Sequence, residues 1–354
     1  MFIPATISLL ISTVFLNLGL ALSGQFLTSE KVNSAASGLV LGVSEYQIAG
    51  KIMVQEGDNF NQAMVKVVGE VKSLPHPPFP QLPQFNMPIQ KLPPSPVKEA
   101  AVETVDFDLA AENGAILDCQ SDDLFFSKRA DRTWPIASIT KLFTAYTFLS
   151  YNPGWETIYE IKAADKREGG KIYLFTGDKV KVKDLFYFSL VGSDNTATAA
   201  LVNSTGMAEE EFVAKINDKI KEFGFKNTRI ADAVGLKDAN ISTAREIAQF
   251  ANIALGIDEI NRAALTKKYE FTTEQGRKKV IASTNELLDI FPEQDVNLLG
   301  GKTGHLNSSG YCLVSKFKNA QGRAIVTVVL GADSETGRFG LTRKLVDLYY
   351  NYKP

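Results

Sequence analysis

The chain has 354 residues, and its 38 Lys and Arg side chains nearly balance its 40 Asp and Glu side chains, which leaves a formal net charge of -2 at pH 7. That balance provides no basic face for a phosphate backbone, so a nucleic-acid partner is excluded. The cysteines and histidines, Cys119, Cys312, His76 and His305, lack the spacing of metal ligands, and we predict no metal or other cofactor. The cysteines are expected to be buried free thiols, with a disulfide between them as the alternative.

An apolar segment opens the chain, and residues 1–29 contain no Asp, Glu, Lys or Arg. Roughly 20 apolar residues in a helix are enough to cross a bilayer, so residues 1–27 are predicted to be a transmembrane anchor or a signal peptide. No basic residue precedes the apolar run, which favours the anchor, although Ala21-Leu22-Ser23 resembles a cleavage site. We expect a protein at the extracytoplasmic face of the bacterial membrane, anchored by its N-terminus or exported.

A linker is predicted at residues 28–100, where proline is concentrated at 74–97. Proline removes backbone donors and favours the extended polyproline conformation, so this stretch is expected to be a semi-rigid spacer, with partner binding as the alternative. Residues 101–354 remain. Their roughly 250 residues are ample for one hydrophobic core, and we assign them to one globular domain.

The predicted strands and helices of this domain occur in groups along the chain. Two strand-like segments, VDFDLAAENGAILDCQ and DLFFSK, precede a helix in SITKLFTAYTFLSYN. Further helices are predicted in DLFYFSLVG, NTATAALVNS, EEEFVAKINDKIKEFG and STAREIAQFANIAL, the last with Thr243 and Glu246 as a capping box. Three strands, LLGGKTG, GYCLVSKFK and RAIVTVVLGA, and a helix in LTRKLVDLYYNY follow. This order predicts an α/β (α+β) fold, with one five-stranded antiparallel sheet flanked by helices and an all-helical subdomain inserted between its halves.

A serine and a lysine stand three residues apart where the first helix is predicted to begin. The sequence Ser-Ile-Thr-Lys at 138–141 places both side chains on one helix face, about one turn apart. Serine becomes nucleophilic when a neighbouring base takes its proton, and lysine can do so once burial lowers its pKa. A second Ser-x-x-Lys, at Ser95 and Lys98, lies in the proline-rich stretch, where no helical turn brings its ends together. Ser138 and Lys141 are therefore the candidate catalytic pair.

A second motif, Ser193-Asp194-Asn195, lies between two predicted helices. A loop there can direct a hydroxyl and an amide into a cleft, and these groups suit a proton relay and a hydrogen bond to a substrate amide. Without the other motifs, Ser193 would be interpreted as a helix cap. The tripeptide alone has little specificity.

The third motif, Lys302-Thr303-Gly304, lies on a predicted strand. Lysine and a threonine hydroxyl can hold a carboxylate, and glycine lets a substrate backbone approach the strand closely. Chance would produce this tripeptide in roughly one chain in ten of this length. It is the most specific of the three motifs.

In this order and in these local structures, the motifs match the set shared by penicillin-binding proteins and class A β-lactamases. Residues 105–350 resemble the serine D-alanyl-D-alanine carboxypeptidases, the low-molecular-mass penicillin-binding proteins. The resemblance extends through PIASITKLFTAY, VGSDNTATAALV, ADAVGLKDANISTAREIAQFA, STNELL, GGKTGHLNSSGYCLV and VVLGADSETGRF. It implies the β-lactamase/transpeptidase-like fold and a peptidase of cell-wall peptidoglycan that β-lactams inhibit.

The resemblance implies how the first two motifs act. Ser138 is expected to attack the carbonyl between the two terminal D-alanines of a stem peptide, with Lys141 as the base. Ser193 is expected to carry a proton to the leaving amine. Asn195 is expected to fix Lys141 and to bind the substrate amide.

It also implies how the third motif binds the peptide. Lys302 and Thr303 are expected to hold the terminal carboxylate, beside Gly304. The backbone N–H groups of Ser138 and His305 are expected to bind the oxyanion. The side chain of His305 is expected either to line the cleft or to take part in catalysis.

Three other functions stay open at this point. A D,D-endopeptidase would use the same residues. A β-lactamase is favoured by Asp194 but disfavoured because no Glu-x-x-Leu-Asn sequence separates Asn195 from Lys302. An inactive module that only binds peptidoglycan normally lacks the nucleophile or the lysine, and both are present here. Because no amphipathic anchor precedes Pro354, membrane attachment is expected at the N-terminus.

Overall fold

The computed structural model describes residues 108–167, 169 and 171–352. The predicted anchor at 1–27 and the predicted linker at 28–100, with its proline-rich stretch at 74–97, lie outside these residues. The domain boundary at residue 101 therefore stays a prediction. Across the described part of the chain, no helix combines the length and the apolar character needed to span a membrane.

The strands form one five-stranded sheet and several two-stranded sheets. In chain order they are β1 (Ala111–Asp118), β2 (Leu124–Lys128), β3 (Trp134–Pro135), β4 (Ile158–Glu160), β5 (Lys179–Lys181), β6 (Ile241–Ser242), β7 (Lys268–Thr272), β8 (Lys278–Ala282), β9 (Val296–Leu306), β10 (Gly310–Asn319) and β11 (Ala324–Ala332). The α-helices are α1 (Thr140–Leu149), α2 (Val182–Val191), α3 (Asn195–Asn203), α4 (Glu209–Glu222), α5 (Ala244–Ala254), α6 (Asp258–Ala264), α7 (Leu287–Ile290) and α8 (Glu335–Tyr352).

Strands from opposite ends of the domain lie side by side in the main sheet. Its order is β2-β1-β11-β10-β9, and all neighbouring strands are antiparallel. β1 pairs with β11, from Ala111 opposite Ala332 to Asp118 opposite Ile325. The helices α1 to α7 lie between β2 and β9 in the chain. The predicted fold class, with its five-stranded antiparallel sheet flanked by helices, is confirmed. The insertion is not all-helical as predicted, because β4 pairs with β5 and β7 pairs with β8 within it.

Both faces of the central strand β11 are covered by helices. Val328 and Val329 are fully buried although successive strand residues face opposite sides of the sheet. Val328 belongs to the core that includes Phe143 of α1, whereas Val329 belongs to the core that includes Leu345 of α8. The sheet is therefore a central layer, with α5 packed on one face and α8 on the other.

Aromatic packing holds α1 within the helical insertion. The ring of Phe143 stacks on that of Phe250 in α5, with centroids 3.8 Å apart and planes inclined by 5°. Phe148, near the other end of α1, is also fully buried. Because α1 carries the candidate lysine, this packing fixes its backbone.

The structure differs from the predicted elements in a few places. The last helix begins at Glu335, ahead of the predicted segment at 341–352, because Gly337 and Gly340 weaken the helical signal of the sequence. The hairpin of β7 and β8 was not predicted, because its inward positions do not form an apolar row: Tyr269 and Phe271 are only half-buried, and Lys279 is buried next to the exposed Val280. Thr243 does cap α5 by accepting from the N–H of Glu246, at 3.1 Å. The Glu246 carboxylate instead accepts from backbone N–H groups of Lys226 and Asn227.

Candidate active site

Ser138 lies on a 3₁₀ turn, Ala137–Ile139, that leads directly into α1. Its side chain is half-buried, whereas Ile136 and Ala137 are fully buried. Ala137 has a φ of 47°, a left-handed conformation that costs a non-glycine residue about 1 kcal/mol. Burial on both sides holds this strained turn, so the Ser138 hydroxyl has a fixed position.

Two glycines let other segments approach this turn. A Cβ atom on Gly304 of β9 would lie 2.9 Å from the carbonyl oxygen of Ile136 and 3.2 Å from the backbone nitrogen of Ser138. A Cβ atom on Gly235 would lie 2.3 Å from the carbonyl oxygen of Ala137. Both contacts are closer than a methyl group tolerates. The nucleophile turn is therefore enclosed between β9 and the loop that contains Gly235.

Lys141 is fully buried and donates three hydrogen bonds from Nζ. The acceptors are Oγ of Ser138 at 2.8 Å, Oδ1 of Asn195 at 2.9 Å and the carbonyl oxygen of Val234 at 2.8 Å. Burial lowers its pKa to about 7, against the opposing effect of the Asp194 and Asp232 carboxylates. A substantial neutral fraction near pH 7 allows this amine to take the serine proton.

The carbonyl of Val234 is a site component that sequence reasoning missed. Its loop is held by Asp232, whose carboxylate accepts from the N–H groups of Val234, Gly235, Leu236 and Lys237, at 2.6 to 3.2 Å. These bonds turn the Val234 carbonyl toward Lys141. The only sequence signal was the family resemblance of ADAVGLKDANISTAREIAQFA, because no residue type marks a backbone carbonyl.

Ser193 and Asn195 flank the turn between α2 and α3 and face different lysines. Ser193 has a φ of 57°, and its Oγ accepts from Nζ of Lys302 at 2.8 Å. Asn195 accepts from Lys141 through Oδ1, and its Nδ2 donates to the carbonyl oxygen of Gly169 at 3.2 Å. Asp194 between them caps α3. The turn therefore links the first and third motifs.

Lys302 and Thr303 lie on β9, opposite the nucleophile. Lys302 is 1 % exposed, and its Nζ also donates to the carbonyl oxygen of Thr303, at 2.8 Å. Burial, then the positive charges of Lys141 and Arg338, hold the pKa of Lys302 well below its usual value. The hydroxyl of Thr303 lies 2.6 Å from that of Thr284. A carboxylate bound here would oppose that lowering of the pKa and favour the protonated form of Lys302.

Arg338 of α8 adds to this positive end of the site and was not predicted individually. Its guanidinium is 3 % exposed, donates to the carbonyl oxygen of Gly304 at 3.3 Å, and pairs with Glu335 at 3.1 Å. It also lies over the ring of Tyr311, 5.5 Å from the centroid. The exposed ring of His305 also stacks on the ring of Tyr311, with centroids 4.1 Å apart.

The cysteines are separate from this chemistry. Cys119 and Cys312 are both free thiols, so the alternative of a disulfide between them is not realised in the structure. Burial raises the pKa of Cys119 to about 12 and that of Cys312 to about 11, which keeps both thiols protonated. Within the described ranges, no group of three His, Cys, Asp or Glu side chains is arranged to hold a metal ion.

The structure brings together the three motifs that contain the predicted site residues, with His305 following Gly304 on β9. Contacts join Lys141 to Ser138 and Asn195, and Lys302 to Ser193. Close packing brings the strand that carries residues 302–305 against the nucleophile turn. The additional components are Val234, Asp232, Thr284 and Arg338. This arrangement can support acyl transfer through a serine.

A family model described as D-alanyl-D-alanine carboxypeptidase matches residues 98–334. The D-alanyl-D-alanine carboxypeptidase DacF of Bacillus subtilis is 27 % identical to the chain over 72 % of the chain and 66 % of its own length. A D-alanyl-D-alanine endopeptidase of Haemophilus influenzae is 30 % identical over 68 % of the chain and 82 % of its own length. The chain thus spans just under two thirds of the Bacillus relative and more of the Haemophilus one.

The crystal structure of the Streptomyces K15 DD-transpeptidase matches the fold with a TM-score of 0.63. Sequence identity is 25 %, and the match covers 68 % of this chain and 97 % of that one. The family match covers more than half of the chain and includes all three motifs. The chain therefore belongs to the D-alanyl-D-alanine carboxypeptidase family, serine peptidases on a penicillin-binding-protein fold.

Proposed function

We propose that this protein hydrolyses the terminal D-Ala-D-Ala bond of peptidoglycan stem peptides through an acyl-enzyme on Ser138, and that penicillin acylates the same serine. The observation that carries the proposal is the 2.8 Å hydrogen bond between Nζ of Lys141 and Oγ of Ser138. Burial lowers the pKa of that lysine to about 7, so the amine can act as a base at neutral pH.

In the acylation step, Lys141 takes the hydroxyl proton while Oγ of Ser138 bonds to the substrate carbonyl carbon. The backbone N–H groups of Ser138 and His305 bind the oxyanion, and one such donor is typically worth about 3 kcal/mol in the transition state. Lys302 donates to Oγ of Ser193, so the Ser193 hydroxyl can pass its proton to the leaving amine. Ser193 then regains a proton from the Lys141 ammonium, so the proton taken from Ser138 leaves with D-alanine. Release of D-alanine leaves the ester on Ser138, and water then hydrolyses it.

Substrate orientation follows from the charges at the other end of the cleft. The terminal carboxylate is held by Lys302 and the hydroxyl of Thr303, with Arg338 behind Gly304 adding positive charge. Asn195 holds Lys141 through Oδ1 and offers Nδ2 to the substrate amide. The peptide thereby lies with its reactive carbonyl above Ser138.

The test is labelling of the purified protein with fluorescent penicillin. The wild type is expected to take up the label, and Ser138→Ala is expected to lose it. Ser95→Ala, in the second Ser-x-x-Lys copy, is the matched control and should label like the wild type. A wild type that takes no label would favour the inactive peptidoglycan-binding module.

A D,D-endopeptidase is the second candidate, and the 30 % identity to the Haemophilus endopeptidase favours it. It breaks the same kind of D-Ala bond in a crosslink, with the same residues. Mass spectrometry of muropeptides after incubation with the protein separates the two. Loss of D-alanine from uncrosslinked pentapeptides indicates the carboxypeptidase, and conversion of dimers to monomers indicates the endopeptidase.

A β-lactamase is disfavoured by the carboxylates near Lys141. Asp232 is occupied by four backbone N–H groups, and Asp194 by its helix cap. Neither carboxylate is placed to activate a deacylating water. We expect the penicilloyl-enzyme to persist, so rapid turnover of a chromogenic cephalosporin would contradict this assignment.

The site of action is proposed to be the extracytoplasmic face of the membrane, where peptidoglycan is remodelled to maintain cell shape. The support is the uncharged apolar segment at residues 1–29. Fusion of the full chain to alkaline phosphatase, which is active only after export, tests it. Carbonate extraction of membranes then distinguishes an anchored protein from one released by signal cleavage.

A further inference from the structure

Asp194 stands between the two residues that contact the two lysines of the site. Ser193 accepts from Lys302 at 2.8 Å, and Asn195 accepts from Lys141 at 2.9 Å. The side chain of Asp194 is only 5 % exposed and accepts from the N–H of Ala197 at 2.5 Å, as the N-cap of α3. Its backbone N–H donates to the carbonyl oxygen of Phe188 at 3.1 Å. The turn is thus held on both sides, with a carboxylate facing inward.

The charged and titratable groups near Lys141 and Asp194 come from several elements. The negative groups facing Lys141 are Asp194, at the start of α3, and Asp232, in the loop that carries Val234. Lys302 on β9 is a second amine close enough for the charge of Lys141 to affect it. Tyr173 is close enough to Asp194 to be affected by that carboxylate. The Asp232 carboxylate accepts hydrogen bonds from four backbone N–H groups. The Asp194 carboxylate accepts from two, those of Thr196 and Ala197. Fewer backbone donors therefore compensate the charge of Asp194 than that of Asp232.

We propose that Asp194 is a positioning residue that sets the proton occupancy of Lys141. Through the cap of α3 it directs Asn195 to the amine, and through its buried charge it favours the ammonium form. This effect of Asp194 on the protonation of Lys141 is a property of the protein without substrate. Its kinetic consequence, slower acylation below neutral pH, rests on the proposed function.

The titration of the two groups agrees with this role. Burial raises the pKa of Asp194 to about 6, opposed by its N–H donors and by Lys141. Since the pKa of Lys141 is lowered to about 7, a carboxylate faces an ammonium between these values. Removing the carboxylate charge removes a stabilising partner of the ammonium, so the amine would lose its proton at a lower pH.

The first test is a titration that requires no catalysis. The protein is labelled with ¹³Cε-lysine, and the Lys141 signal is identified as the one lost in Lys141→Met. Asp194→Asn keeps an acceptor for Ala197 and removes only the charge, so the midpoint of that signal should move down by about 1 pH unit. Asp194→Ser, also a good helix cap, should move it likewise if the asparagine variant does not fold.

The second test is the rate constant of acylation by penicillin between pH 5 and 8. With a midpoint about 1 unit lower, Asp194→Asn should react roughly fivefold faster than the wild type at pH 6. Asp184→Asn is the matched control, because Asp184 is also a mostly buried acid near a helix start but contacts Tyr269. It should leave the profile unchanged.

The outcomes separate this inference from the proposed function. An unchanged Lys141 midpoint in folded Asp194→Asn and Asp194→Ser, or a midpoint that moves up, overturns the inference. A midpoint that moves down in a protein that penicillin does not acylate supports the role of Asp194 and contradicts the proposed function. A shift in the control variant of equal size would show a general charge effect and would also overturn it.

Discussion

Lys141 donates a 2.8 Å hydrogen bond to Ser138 from a position with no solvent exposure. A buried amine is costly unless it is neutral or well bonded, and here three acceptors surround it. The geometry therefore serves proton transfer, and the packing of α1 maintains it. Loss of the Lys141 amine should therefore stop proton transfer without unfolding the domain.

Lys141→Ala should abolish acylation by fluorescent penicillin, by at least about 100-fold, while circular dichroism still shows a folded protein. Lys141→Met, which fills the same space, should lose activity equally. Lys316→Met is the control, because Lys316 also has its pKa lowered by burial but bonds to the carbonyl of Asn252. Unfolding of both Lys141 variants would show that the lysine is needed for the fold and not only for proton transfer.

Acylation by the wild type should increase as the pH rises through about 7. Below that value Lys141 carries a proton and cannot accept one from Ser138, and above it the neutral amine dominates. The measurement is the second-order rate constant for penicillin between pH 5 and 9, with folding followed separately by fluorescence. A rate that is flat over this range would show that Lys141 is not the base.

Gly235→Ala should impair both stability and acylation, because its Cβ would lie 2.3 Å from the carbonyl oxygen of Ala137. Gly206→Ala is a matched control: its φ of 83° is close to the 91° of Gly235, but no atom lies within 4 Å of the added carbon. The control should cost only the left-handed conformation, about 1 to 2 kcal/mol by denaturant unfolding, and should keep its acylation rate. Equal effects in the two variants would contradict the enclosure of the nucleophile turn.

Arg338→Met should lower the rate of acylation by penicillin G about tenfold, the effect of roughly 1.4 kcal/mol, since a buried cation behind Gly304 is lost. The methyl ester of the same penicillin has no carboxylate and should react equally with wild type and variant. Arg343→Met, on the same helix but paired with Glu293, is the control. A similar loss with acid and ester would assign Arg338 a structural role.

The sequence was sufficient to predict the main sheet and the motif residues. Long apolar runs such as that of β11 have a clear strand signal because both faces are buried. The Ser-x-x-Lys pair at 138 was distinguished from its copy at 95 by its helical context alone. The hydrogen bond between Ser138 and Lys141 then follows from their spacing of about one helical turn.

Other parts of the site could not be predicted individually because their function lies in backbone groups or in long-range packing. The Val234 carbonyl has no residue type of its own, and the loop around it depends on Asp232 accepting four N–H groups. Arg338 reaches Gly304 only because α8 packs across the sheet. The start of that helix is obscured in the sequence by Gly337 and Gly340.

The pairing of β1 with β11 has a consequence for biosynthesis. More than 200 residues separate Ala115 from its partner Val328, so closing the sheet requires a contact of very high sequence separation. Before β11 leaves the ribosome, the edge of β1 has no neighbour on that side. A nascent chain that stops short of residue 324 therefore exposes an open strand, and premature termination should yield aggregates or proteolysed fragments instead of a weakly active enzyme.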